Sequence, residues 1–217
     1  MRAARLIVST CFVGSCLGAF AQPAPAPPVV EKIYIFDTNH TTIGFSIPIF
    51  AMGEVTGKFT DFTGKIVVPD EADLTKATVE VVIKTDSIDT GNEDRDKHLR
   101  TADFFDAAKF PEITFKSKKI LKVGSGYSLV GDFSMRGVNK KITIPFQLTG
   151  HDITLGAHAS FPLNRKEYGV SWSRIMDDGA IFLPDEVTIE IGLLTRTGMT
   201  AEELAKYKAN KSAHSKD

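Results

Sequence analysis

Past residue 16 the chain contains no cysteine. Its 217 residues include only two, Cys11 and Cys16, both near the start. Everything downstream must therefore be stable without a disulfide, and no thiolate is available there to hold a metal. The five histidines, at 40, 98, 151, 158 and 214, are scattered without paired spacing. No metal site and no cofactor are expected. An excess of either charge is also lacking, with 26 Lys and Arg against 27 Asp and Glu. With that balance no strongly basic face points to nucleic acid or to an anionic membrane, and no nucleic-acid partner is expected. The chain has no G-x-S-x-G elbow, no H-E-x-x-H and no phosphate-cradling loop. A triad built from His40, Asp37 and a serine would rest on composition alone. No catalytic residue is assigned, and the protein is not expected to be an enzyme.

Long apolar runs are absent beyond the N-terminus. Arg2 and Arg5 precede an uncharged, mostly apolar stretch, Leu6 to Phe20, that closes on Ala19-Phe20-Ala21. This is the pattern of a secretion signal with a small-x-small cleavage site. The stretch is short for a bilayer span, which needs roughly 20 apolar residues. Residues 1–21 are read as a signal peptide cleaved near Ala21, which predicts a periplasmic protein and removes both cysteines. Val13-Gly14-Ser15-Cys16 loosely resembles a lipoprotein box, so anchoring through Cys16 is the less favoured alternative. Residues 22–30, which begin QPAPAPP, read as a flexible linker.

What remains is rich in phenylalanine, 15 against 4 Tyr and one Trp. It also alternates. Ile43, Phe45, Ile47 and Ile49 share one face; so do Ala77, Val79, Val81 and Ile83; then Tyr127, Leu129, Gly131, Phe133 and Met135; then Ile142, Ile144, Phe146 and Leu148; and finally Val187, Ile189, Ile191 and Leu193. Period two predicts strands, each with one apolar face. Further strands are expected around 55–68, 113–121 and 153–163. Turns at Gly124-Ser125-Gly126, Arg136-Gly137 and Asp178-Gly179 argue for antiparallel neighbours. About eight such strands fit a barrel or a sandwich. Residues 92–107 break the pattern and read as one or two short helices. Thr200 with Glu203 forms a capping box that predicts a helix to follow.

Several segments carry a resemblance. Asp37-Thr38-Asn39-His40-Thr41 opens it, followed by Val55-Thr56-Gly57-Lys58-Phe59 and Gly64. The most specific stretch is Arg95-Asp96-Lys97-His98-Leu99-Arg100, Asp103-Phe104-Phe105-Asp106 and Phe110-Pro111-Glu112-Ile113-Thr114-Phe115. Gly131 to Val138, Asn164-Arg165 and Tyr168-Gly169 complete it. From about Tyr34 to Thr195 the chain resembles the YceI-like, polyisoprenoid-binding proteins of bacteria. The resemblance implies an all-β fold: an eight-stranded antiparallel lipocalin-like barrel over residues 31–197, with a short helical crossover and a C-terminal helical tail over 198–217. It implies an apolar tunnel holding an isoprenoid chain or other long-chain amphiphile, and a periplasmic home. A membrane redox protein as docking partner and pairing into a homodimer are further implications of the family. One departure stands out. Where many members carry a second histidine, this chain has Ile49, which puts head-group preference in doubt.

The expected ligand-binding set is Phe45, Ile47, Ile49, Phe59, Val81, Ile83, Phe104, Phe115, Phe133, Met135, Phe146, Phe161 and Trp172, with Arg95 and His98 at the mouth. Arg100 is a third candidate for the mouth. Arg suits a phosphate through its bidentate fork; the competing structural role for Arg95 is a pair with Asp96 that fixes the crossover. His40 is expected to be buried beside Asp37, and Asn164 and Arg165 to tie a strand end. The leading function is a periplasmic carrier of an isoprenoid-type or other long-chain lipid. The alternatives are an enzyme acting on such a lipid and a docking partner of a membrane redox protein.

Overall fold

The computed structural model describes residues 31–49, 53–151, 154–173 and 183–214. The signal segment, the linker, Cys16 and the Asp178-Gly179 turn lie outside the described residues. Eleven strands follow in order: β1 (Lys32–Ile35), β2 (Thr42–Ile49), β3 (Gly53–Phe59), β4 (Phe62–Val68), β5 (Thr78–Lys84), β6 (Ile88–Asp89), β7 (Glu112–Val123), β8 (Gly126–Met135), β9 (Val138–His151), β10 (Leu155–Asn164) and β11 (Glu186–Leu194). Helix α1 (Glu93–Leu99) lies between β6 and β7, and α2 (Ala201–His214) follows β11. The sheet order is β1-β4-β5-β7-β8-β9-β10-β11-β2-β3-β6, antiparallel throughout.

Eight strands were expected and eleven segments are present. The difference has a physical origin. β1 and β2 are two halves of one bent strand, and so are β3 and β4, since β1 pairs with β4 while β2 pairs with β3. At each bend the inward face changes parity. Tyr34 and Phe36 are buried before the first bend, Ile43 and Ile47 after it; Phe59 is buried before the second, Phe62, Ile66 and Val68 after it. An inserted residue in the alternation turns the chain as a bulge does, so a continuous strand reads as two. Thr60 and Asp61 at the second bend are pinned from outside: the Thr60 amide and hydroxyl both donate to Ser87 O, and the Lys84 amide donates to Asp61 O. β6 is a two-residue contact with the end of β3.

Counted this way, eight strands close a ring. β11 pairs with β2, and its continuation bridges β1: the Asp37 amide donates to Leu194 O, Arg196 N–H to Ile35 O, and Ile33 and Met199 exchange bonds. Closure leaves no long free edge among the described residues, which suits a barrel with no cysteine past residue 16. The core runs through the ring, with Tyr34, Val68, Ile88 and Tyr168 among its most enclosed side chains. β5 and β7 are adjacent, yet residues 85–111 separate them; this excursion carries α1. A second excursion, 165–185, joins β10 to β11. Helix α2 starts as the sequence predicts. The Glu203 carboxylate accepts from the Thr200 amide at 2.8 Å, and the Thr200 hydroxyl accepts from Glu203 N–H at 3.3 Å.

Candidate ligand cavity

The inward faces enclose a cavity of about 580 Å³, in the range of small-molecule sites. Its walls are hydrocarbon. The aromatic part is built by Phe45, Phe59, Phe104, Phe115, Phe133, Phe146, Phe161 and Trp172; the aliphatic part includes Ile47, Ile49, Val81, Ile83 and Met135. Arg95 and His98 also border it, so of the residues selected from the sequence only Arg100 is away from this one space. Strand alternation explains the result, because inward positions of neighbouring strands are forced together once register is set.

Among the described residues, ionisable groups reach the cavity through Asp94, Arg95, His98 and Arg165. The Asn92 side chain caps α1 by accepting from Arg95 N–H at 3.0 Å. The expected Arg95–Asp96 pair is not formed. Both side chains go to Thr90 instead. Arg95 Nε donates to Thr90 Oγ1 at 2.7 Å and Nη2 to Thr90 O at 2.8 Å, while Asp96 Oδ1 accepts from the Thr90 amide (3.0 Å) and hydroxyl (2.6 Å). Two residues adjacent on a helix point in different directions, so a shared third partner suits them better than each other. Arg100 is not at the mouth. Its guanidinium donates to Asp86 O and Ile88 O and holds the excursion to the barrel. His40 is also corrected: it lies 3.1 Å from Asp37 but is exposed, and that contact holds the Asp37 carboxyl below its ordinary range.

The two excursions meet over the cavity. His98, Phe104 and Trp172 pack ring against ring, with centroids 5.0, 5.3 and 5.2 Å apart, and His98 Nε2 lies 3.0 Å from Asp103 Oδ2. Arg136 clamps them from the β8–β9 turn, donating to Ala102 O on one excursion (2.7 Å) and to Gly169 O on the other. Arg165, buried, gathers the second excursion by donating to the carbonyls of Val170, Trp172, Leu183 and Pro184 at 2.7–3.0 Å. Burial lowers the pKa of its guanidinium, and Asp185 opposes the shift. Asn164 accepts from the Lys166 amide at 3.0 Å. The wall also includes Leu129, from an apolar face read in the sequence, and Phe36, Leu74, Leu99, Phe105, Ile120 and Leu155, which sequence reasoning did not place there. The parity change at 36–41 could have found Phe36. Leu74 sits in a short 3-10 turn, where period two gives no signal.

Residues 34–194 match the YceI-like domain family. The chain belongs to the YceI family. A UPF0312 protein of Yersinia pestis (strain Pestoides F) is 34% identical over 160 residues, covering 73% of this chain and 83% of its own length. Among solved structures, the YceI protein of Campylobacter jejuni is similar at 27% identity and TM-score 0.59, covering 74% of this chain and 96% of that one. Burkholderia cenocepacia BcnA shares the fold at 22% identity and TM-score 0.65, over 73% of this chain and 98% of that one. A polyisoprenoid binding domain of Saccharophagus degradans shares it at 14% identity and TM-score 0.55, over 78% and 99% respectively. The YceI barrel thus accounts for the closed sheet and its hollow interior.

Proposed function

We propose that this protein binds a long apolar chain, an isoprenoid or a similar lipid, inside the barrel and carries it through the periplasm. One observation carries the reading: a cavity of about 580 Å³ walled by hydrocarbon, whose ionisable residues among those described are four, Asp94, Arg95 and His98 on α1 and Arg165 on the second excursion. Such a space suits a single-headed amphiphile. Each buried methylene contributes about 0.8 kcal/mol, so ten of them give roughly 8 kcal/mol with no polar contact. The shared fold with a polyisoprenoid binding domain supports the same ligand class. The N-terminal signal pattern supports the location. Three charged groups on the border are engaged, Arg95 with Thr90, His98 with Asp103 and Arg165 with four carbonyls, which favours holding a ligand over chemical work on it. Ile49 borders the cavity as an apolar residue, so head-group recognition here does not use an imidazole at that position.

The test is mass spectrometry on organic extracts of protein isolated from its own cells. An apolar chain is expected to co-purify. An empty extract, together with failure of purified isoprenoids to bind, would overturn the reading.

A further inference from the structure

Among the described residues only two large aliphatic side chains are exposed, and both are on one hairpin. Leu121 is 41% exposed and Val123 is 57% exposed. Two positions apart on β7, they share the outer face, while Ile120 between Lys119 and Leu121 turns inward and lines the cavity. The pairing of β5 with β7 ends at Glu80 and Lys116, so the rest of β7 is paired through β8 alone and the hairpin extends beyond β5. Its tip is Gly124-Ser125, small and polar. Four lysines belong to this arm. Lys116 is held by Glu80 at 3.2 Å and Lys118 by Asp132 at 2.8 Å. Lys119 and Lys122 are exposed and make no ion pair among the described residues; Lys119 shares the outer face of Leu121 and Val123, and Lys122 alternates to the face of Ile120.

We propose that the β7–β8 hairpin docks on an anionic lipid surface. Leu121 and Val123 enter the boundary between head groups and acyl chains, and Lys119, on the same outer face, meets the phosphates. Aliphatic side chains in a row with an unpaired cation fit that interface, where apolar insertion and attraction to anionic lipid act together. A protein partner fits less well, because the cores of protein interfaces are depleted in lysine. The surface goes beyond the carrier reading and does not depend on what the cavity holds. It supplies what a carrier requires: contact with the bilayer where an insoluble chain is taken up or released. Ile120 and Leu129, behind the patch, are part of the cavity wall.

The experiment is flotation of the protein, purified from cells expressing the whole chain, with vesicles of phosphatidylcholine alone or mixed with phosphatidylglycerol. Binding is expected to the mixed vesicles and to weaken with salt. K119E is expected to lower binding about fivefold, the contribution of one lysine, and K122E, on the opposite face, to lower it less. The pair L121S and V123S is expected to lower it at least about tenfold. Melting temperatures should match the wild type, since neither aliphatic side chain is buried. Absence of wild-type flotation, or undiminished flotation of L121S/V123S, overturns the proposal. So does a change in sedimenting mass of L121S/V123S without a change in flotation, which would make the patch an interface between protein chains. Cargo is read separately with a fluorescent fatty-acid probe. Flotation without probe binding supports the docking surface and counts against the carrier reading alone.

Discussion

Gly57 and Gly131 are both places where another group occupies the space of a side chain. A Cβ on Gly57 would lie 2.4 Å from the Phe45 ring and 2.8 Å from the Thr90 methyl. One on Gly131 would lie 2.5 Å from the Phe115 ring and also 2.5 Å from the carbonyl oxygen of Lys116. The two sites therefore differ in what can yield. Gly57→Ala is expected to destabilise by about 1–3 kcal/mol through overpacking, and Phe45→Leu in the same chain should recover most of the loss. Gly131→Ala should cost at least as much, and Phe115→Leu should not rescue it, because a backbone carbonyl cannot move aside without breaking the strand pair. Denaturant melts of the two double-mutant cycles check this; equal rescue at both sites would contradict it. At this scale the sequence said a good deal. Gly57 and Gly131 fall in the motifs that carry the family resemblance, and alternation put Phe45, Phe115 and Phe133 on the inside. It could not say that Arg95 and Asp96 share Thr90, because a hydrogen bond from a helix to the loop before it leaves no periodic trace.

Elements that join are harder to read than elements that repeat. The stretch 55–68 alternates on both sides of Thr60-Asp61, and only the parity change marks the corner that splits β3 from β4. The cap over the cavity is harder still, since the side chain that hydrogen-bonds both excursions is an arginine in a distant turn. Arg136 and Gly137 both have positive φ, 52° and 76°, as a type I′ hairpin turn requires, and Asn-Gly is the favoured pair there. Arginine holds the disfavoured position while bonding both excursions. Arg136→Asn should keep the hairpin and change stability by less than about 1 kcal/mol, the better turn residue offsetting the lost bonds. Amide exchange at 99–107 and 168–170 should nevertheless accelerate. Unchanged exchange there would show that the excursions hold without the clamp. The seam at β1 gives a pH prediction. The Tyr34 hydroxyl donates to Glu71 at 2.7 Å, and burial with that carboxylate raises its pKa to about 12. The folded value lies above the unfolded one, so the contribution is full below about pH 10 and is lost as pH rises through 12. Tyr34→Phe should flatten the alkaline limb of a stability profile between those values; an identical limb in both proteins would count against it.

The whole molecule is a closed ring around a space, and its stability and its function use the same side chains. No disulfide is available past residue 16, so the domain is held by strand closure and by an apolar wall that a ligand would share. Volume then sets a limit on what fits. At roughly 30 Å³ per heavy-atom group, the share water takes in the liquid, a cavity of about 580 Å³ holds about twenty carbons. Affinity for a series of isoprenoid alcohols should rise with length, by about fourfold for each added carbon at 0.8 kcal/mol per methylene. It should stop rising near twenty carbons, because further units would lie outside the wall and stay in water. Competition against a bound fluorescent lipid, run from roughly ten to thirty carbons, measures both slope and break. A slope that continues past the break would mean that the chain threads beyond the cavity or that the wall yields, and the excursions joined by Arg136 are where it would have to open.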